Sequence, residues 1–192
     1  KKFIFASTSA VYGEPEYLPV DEKHQCKPKS LYGLSKLMFE NYSNFFTENC
    51  NEFSVINFRL PNVYGPRQRA DLEGGVIAIF FQRMINNNSI NIFGDGNQTR
   101  DWVHVNDIAA AFIKAIKIQQ KKNEIIQLGS NKANTVKKLF LLLKDKLHYE
   151  KKPKYCNKRE GDIEFMMMSN KKASKILKWS PTVDLKKGLE NL

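Results

Sequence analysis

Apolar positions along the chain fall into short runs separated by stretches where they recur every three or four residues. Residues 2–6 (KFIFA) form a run of the first kind and end at small polar residues, as a buried parallel strand does. Between Ser30 and Asn49, Leu34, Met38, Tyr42 and Phe45 stand at i, i+4, i+8 and i+11. That spacing predicts a helix, with Ser30 placed to cap it. Residues 53–58 read as the next strand, 61–69 as a loop, 75–86 as a helix, 90–93 as a short strand and 94–97 (GDGN) as a turn. A helix over 107–118 puts Ile108, Phe112, Ala115 and Ile116 on one face, and a strand over 124–128 closes on Gly129-Ser130-Asn131. Val136, Leu139, Phe140, Leu143 and Leu147 mark a further amphipathic helix. Beyond Pro153 comes an irregular stretch, a short helix to Trp179, a break at Pro181 and a last helix. Strands alternating with helices give an α/β fold built on a parallel sheet.

Composition changes little in this picture. Of 192 residues, 42% are hydrophobic and 27% charged, ordinary for a globular domain. The longest apolar run considered, 76–81, is far short of the ~20 residues a membrane span needs. The opening Lys1-Lys2-Phe3-Ile4-Phe5 is too short for a signal peptide. Cys26, Cys50 and Cys156 share no CxxC spacing and read as reduced thiols of a cytoplasmic protein. His24, His104 and His148 are as scattered, so no metal site is expected. The net charge of +11, with lysines thickening between Lys144 and Arg159, would attract phosphates. No nucleic-acid motif accompanies it, and a solvated lysine-rich face accounts for the same residues.

Chemistry enters with Tyr32 and Lys36, four positions apart at the start of a predicted helix and therefore on one face. An ammonium beside a phenol stabilises the phenolate, a usable general base for a hydroxyl proton. YxxxK alone equally fits a packed tyrosine with a lysine snorkelling past it. Upstream, Ala6-Ser7-Thr8-Ser9-Ala10-Val11-Tyr12-Gly13 sets hydroxyls just past a strand end, where open α/β sheets hold ligands. The combination of strand, hydroxyl turn and YxxxK is far more specific than any one of them.

These segments resemble the extended short-chain dehydrogenases/reductases that act on nucleotide sugars, and the resemblance covers essentially the whole chain. It implies Thr8, Tyr32 and Lys36 as the catalytic Ser/Thr, Tyr and Lys, with Tyr32, Lys36 and Pro61 also meeting NAD. Arg59-Leu60-Pro61-Asn62-Val63-Tyr64-Gly65-Pro66-Arg67 resembles the segment that passes the nicotinamide and then meets the substrate, which assigns Asn62 to the diphosphate region. Phe93-Gly94-Asp95-Gly96 through Thr99-Arg100-Asp101-Trp102-Val103-His104-Val105 is similar to the family's FGDG and RDxxxV stretch. There Arg100 would pair with a phosphate and Asn91, Ile92 and Phe93 would flank the base. Arg159-Glu160-Gly161-Asp162 resembles the C-terminal RxGD, which makes Arg159 the second phosphate partner and assigns Asp162 to substrate binding as well. Val76 is assigned to the substrate by the same resemblance. Met166 falls where family members set a residue against the sugar ring.

The family's fold then implies two parts. Residues 1–65, with 105–130 packing back, would be the C-terminal portion of a Rossmann-like sheet. Residues 66–104 and 131–192 would form a smaller mixed α/β substrate-binding domain. The Gly-rich GxxGxxG turn has no match here. The resemblance therefore implies a fragment lacking most of the NAD site, inactive alone, of an enzyme that dimerises through the YxxxK helix. Family dehydratases carry an Asp-Glu pair after the catalytic Thr, and uronate decarboxylases a Glu; here stand Ser9 and Ala10. Without an acid to assist elimination, 4-epimerisation of UDP-glucose and UDP-galactose is the implied reaction. A 4,6-dehydratase, a uronate decarboxylase or epimerase, and a non-catalytic binding protein stay open as alternatives.

Overall fold

The computed structural model describes residues 1–50, 52–71, 75–119 and 123–192. In chain order the elements are β1 (Lys2–Thr8), a 3-10 turn (Ser9–Val11), α1 (Leu31–Asn49), β2 (Ser54–Leu60), β3 (Asn62–Tyr64), α2 (Val76–Ile85), β4 (Asn91–Phe93), β5 (Thr99–Arg100), β6 (Trp102–His104), α3 (Val105–Lys117), β7 (Glu124–Gln127), β8 (Asn134–Thr135), α4 (Val136–Lys146), β9 (Lys154–Cys156), α5 (Lys171–Leu177) and α6 (Leu185–Glu190).

The main sheet is parallel, in the order β1-β2-β7. Its central strand β2 is buried at every position but the last, as expected of a parallel strand covered on both faces. Alternation along β2 divides the labour. Ile56 and Phe58 join Ile108, Ala111 and Ala115 of α3 and Ala173 and Leu177 of α5 in one apolar cluster. Asn57 and Arg59 point the other way and bond Ser43 and Glu40 of α1.

That polar face explains a surprise in α1. Apolar periodicity locates the helix correctly, and Ser30 caps it by accepting the Gly33 amide at 3.0 Å. Its buried residues, however, are Gly33, Glu40, Ser43 and Thr47. Leu34, Met38, Tyr42 and Phe45 face outward, Tyr42 and Phe45 each 68% exposed. The apolar stripe therefore does not cover the sheet.

Two further clusters lie beside the sheet. One packs Tyr64, Ile77, Phe80, Ile92 and Trp102 against Leu139, Phe140 and Leu143 of α4. The smaller joins Val11, Tyr12, Val20, Met166 and Met168. The stretch 61–69, expected as a loop, contains β3, which pairs in parallel with β6. The stretch after Pro153, expected to be irregular, contains β9, which pairs with β4. Three-residue pairs are too short to show a period in sequence. Among the described residues, no helix is long and apolar enough to cross a membrane, and no group of His, Cys, Asp and Glu could hold a metal ion.

Candidate functional site

The site begins where β1 ends. Thr8 is the last residue of the strand, and its Oγ1 accepts the Ala10 amide at 3.2 Å, capping the 3-10 turn. This fixes the oxygen while leaving its O–H free to donate. The first turn of α1 lies directly against Ala10. A Cβ built on Gly33 would stand 2.6 Å from the Ala10 carbonyl oxygen, so no side chain fits there. The close approach brings Tyr32 and Lys36 to the end of β1. Lys36 Nζ donates to the Ala6 carbonyl at 3.0 Å and lies 5.7 Å from the Tyr32 ring centroid. Tyr32 is half exposed.

These residues form one wall of a cleft of about 520 Å³. Thr8, Tyr32, Lys36, Pro61, Asn62, Val76, Arg100 and Met166 all line it. A second cavity of about 290 Å³ adjoins it, and Asn62, Gly75, Val76 and Arg100 belong to both. Asn91, Ile92, Phe93, Arg159 and Asp162 line the second. All thirteen residues singled out in the sequence therefore border one continuous pair of cavities.

The two arginines are held differently. Arg100 pairs with Asp162 and donates through Nη1 to the Thr99 carbonyl at 2.8 Å. Arg159 has its guanidinium carbon 3.9 Å from the Phe93 ring centroid, a close cation–π contact. Met166 is 2% exposed, so it belongs both to the cleft wall and to the small core of Val11, Tyr12, Val20 and Met168.

Several residues that build the site were given no role by the motifs. Glu40, one turn beyond Lys36, is buried and accepts bonds from Ser7 Oγ and from Arg59. Asp101 is fully buried, and burial pushes its carboxyl up to about 6 against the pull of backbone N–H groups that favour its charge. Gly33 and Trp102 shape the wall. The only sequence signal for Glu40 is its place four residues after Lys36, on the same helical face.

Comparison with known proteins places this site in context. Residues 1–129 match the model of the NAD dependent epimerase/dehydratase family. Over its whole length the chain is 43% identical to a putative UDP-glucose 4-epimerase of Methanocaldococcus jannaschii, of which it covers 61%. Among solved structures, the UDP-glucose 4-epimerase of Thermotoga maritima with UDP-glucose aligns at a TM-score of 0.93 and 38% identity, over 99% of this chain and 61% of that one. The UDP-N-acetylglucosamine 4-epimerase of Methanobrevibacter ruminantium with UDP-N-acetylmuramic acid aligns at 0.92 and 32%, over 100% and 61%. The chain thus spans about three fifths of the length of the relatives it matches, and its α/β fold is their Rossmann-like one. With 129 of its 192 residues matched by the family model, and homology along its whole length, the chain belongs to the NAD dependent epimerase/dehydratase family.

Proposed function

We propose that these residues form the catalytic and substrate-binding part of a UDP-hexose 4-epimerase acting on UDP-glucose and UDP-galactose. One observation carries the reading: a hydroxyl, a phenol and an ammonium share a cleft that opens into a second cavity bearing two arginines. Tyr32 takes the proton of the sugar 4-hydroxyl and returns it. Lys36, held by the Ala6 carbonyl, keeps positive charge beside the developing phenolate. The free O–H of Thr8 donates to the reacting oxygen. Arg100 and Arg159 bind the diphosphate, since guanidinium offers paired, charge-assisted bonds to phosphate oxygens. The Asp162 carboxylate holds Arg100 in orientation before the ligand arrives. Asn62 and Val76 line the passage between the two cavities, and Asn91, Ile92 and Phe93 flank the base.

The residues present fit one end of NAD. Leu60 and Pro61 offer an apolar wall at the end of β2. Lys36 has three N–H donors and gives one to Ala6, leaving two for ribose hydroxyls. No GxxGxxG occurs in the sequence, so these residues fit the nicotinamide end alone. When bound, NAD supplies reversible hydride acceptance at C4. Among the described residues lining the cleft none is Asp, Glu or His. No described lining residue offers an acid for elimination of water, which favours epimerisation over dehydration.

We assign 1–65 and 105–130 to the cofactor side and 66–104 and 131–192 to the substrate side. The outward residues of α1 would pack against a second copy. Two measurements test the assignment. Calorimetry should detect UDP-glucose binding by residues 1–192. The same residues, joined to a Gly-rich dinucleotide-binding half from a relative, should interconvert UDP-glucose and UDP-galactose. A joined protein that binds both ligands yet yields a dehydrated sugar would overturn the reaction proposed.

A further inference from the structure

A single carboxylate ties together the stretches of chain that meet behind the cleft. Asp101, between Arg100 and Trp102, accepts the Ser130 amide on both oxygens at 3.0 Å and the Met168 amide on Oδ2 at 3.0 Å. Its own carbonyl accepts the Asn62 amide at 3.0 Å. Residues 162–169 run alongside 99–101 and are held at each step. Arg100 pairs with Asp162, the Thr99 amide donates to the Glu164 carbonyl at 2.9 Å, and the Met166 amide donates to Thr99 Oγ1 at 3.3 Å. From behind, Gly129 approaches so closely that an added Cβ would stand 2.2 Å from the Met168 carbonyl oxygen. Val20 bonds the residues on either side of Met168, donating to the Met167 carbonyl and accepting the Ser169 amide, both at 2.8 Å.

The held segment faces ligand space. Ile163 and Met166 line the cleft together with Arg100 and Trp102, the two residues that flank Asp101 in sequence. We propose that Asp101 is a positioning residue that sets the depth of Met166 over the cleft, and with it the fit of the sugar. The sugar half of this statement rests on the UDP-hexose reading above. A carboxylate suits this role, because when ionised it only accepts, and the amides that converge on it only donate. A carboxamide of the same shape would turn an NH₂ toward one of those N–H groups. The segment would then lose an anchor two residues from Met166, while Thr8, Tyr32 and Lys36 keep their supports.

The test compares residues 1–192 with their Asp101→Asn variant by amide hydrogen exchange and by calorimetry. Exchange at Met166 and Met168 should quicken by about tenfold or more, as for a locally loosened segment, with Ile56 and Phe58 of β2 unchanged. The ratio of UDP-glucose to UDP affinity should fall by about tenfold, with UDP affinity itself held. Unmoved exchange at Met166 and Met168 overturns the proposal. Equal weakening of UDP and UDP-glucose reduces Asp101 to a structural residue and overturns it as well. If the parent chain binds neither, the UDP-hexose reading fails, and exchange alone decides whether Asp101 anchors the segment. Should Asp101→Asn fail to fold, Thr99→Val removes the neighbouring anchor. It should quicken exchange at Met166 and move the affinity ratio in the same direction, and an unchanged ratio there sinks the proposal.

Discussion

Glu40 and Arg59 form a buried ion pair between α1 and β2, their side chains 2% and 4% exposed. Arg59 Nε lies 3.1 Å from both carboxylate oxygens and Nη2 lies 2.6 Å from Oε2. Glu40 also accepts from Ser7, which neighbours Thr8 and stands opposite Arg59 in the β1-β2 register. One carboxylate thus joins the YxxxK helix to the ends of both strands that carry the cleft.

Removing one member strands the other. Glu40→Ala leaves a buried guanidinium without its counter-ion, which costs about 3–5 kcal/mol. Glu40→Leu combined with Arg59→Met replaces both charges by apolar volume and should recover much of that loss. Urea unfolding of the single and double variants checks this. A double variant no more stable than Glu40→Ala would mean the polar network is irreplaceable.

In a joined, NAD-competent protein, Tyr32→Phe should lower turnover by roughly 10²–10⁴-fold, the usual weight of a positioned general base. UDP-glucose affinity should stay near the parent value, because Arg100 and Arg159, the proposed diphosphate ligands, are untouched. Lys36→Met should also slow turnover, by removing the positive charge beside the phenolate. Parent-like rates in both variants would refute the assigned chemistry.

Gly33 opposes two effects of known size. Replacing a helical glycine by alanine gains about 1 kcal/mol in propensity. Here the new Cβ would meet the Ala10 carbonyl oxygen at 2.6 Å and its carbon at 3.0 Å. Overpacking against backbone costs about 1–3 kcal/mol, so the clash should win. Gly33→Ala is expected to destabilise the chain and, by pushing α1 from the turn, to slow turnover. A rise in the unfolding midpoint would show that α1 can shift freely.

Met166 fills core and lines the cleft at once. Its unbranched side chain can yield to a larger substituent. Met166→Ser should shift kcat/KM toward UDP-N-acetylglucosamine over UDP-glucose by on the order of 10–200-fold. An unchanged ratio would place the selection of sugar elsewhere.

The contrast between α1 and β2 shows what the sequence makes legible. Local signals transferred in part: the Ser30 cap and the strand β1 form where spacing put them, but β1 is buried only at Ser7 and Thr8 and not along its apolar run, because no described strand covers its other edge. Periodicity could not say what the stripe of α1 faces. Among the described residues Leu34, Met38, Tyr42 and Phe45 face outward, while Glu40 and Ser43 meet Arg59 and Asn57. Long-range partners were illegible for the same reason. Asp101 reads as part of a motif, but its acceptance of the Ser130 and Met168 amides depends on chain 29 and 67 residues away.

Asp101 also gives the chain a predictable response to acid. An ordinary aspartate titrates near ~3.9, whereas burial raises this one to about 6. Between those values the folded state holds a proton that the unfolded chain does not. This group's contribution to stability is therefore complete below about pH 4 and is lost as pH rises through about 6. At about 1.4 kcal/mol per unit, the raised value is worth up to about 3 kcal/mol over that window. Asp101→Asn removes the titration along with the charge. The parent should thus gain stability relative to the variant as pH falls from 7 to 4.5, read from urea unfolding of both at each pH. Other acids titrate in both proteins and cancel in the difference. A difference that stays flat across this range would mean that the backbone N–H groups on Asp101 fully offset its burial. A difference moving the other way would mean that they outweigh it, holding the carboxyl below its ordinary value.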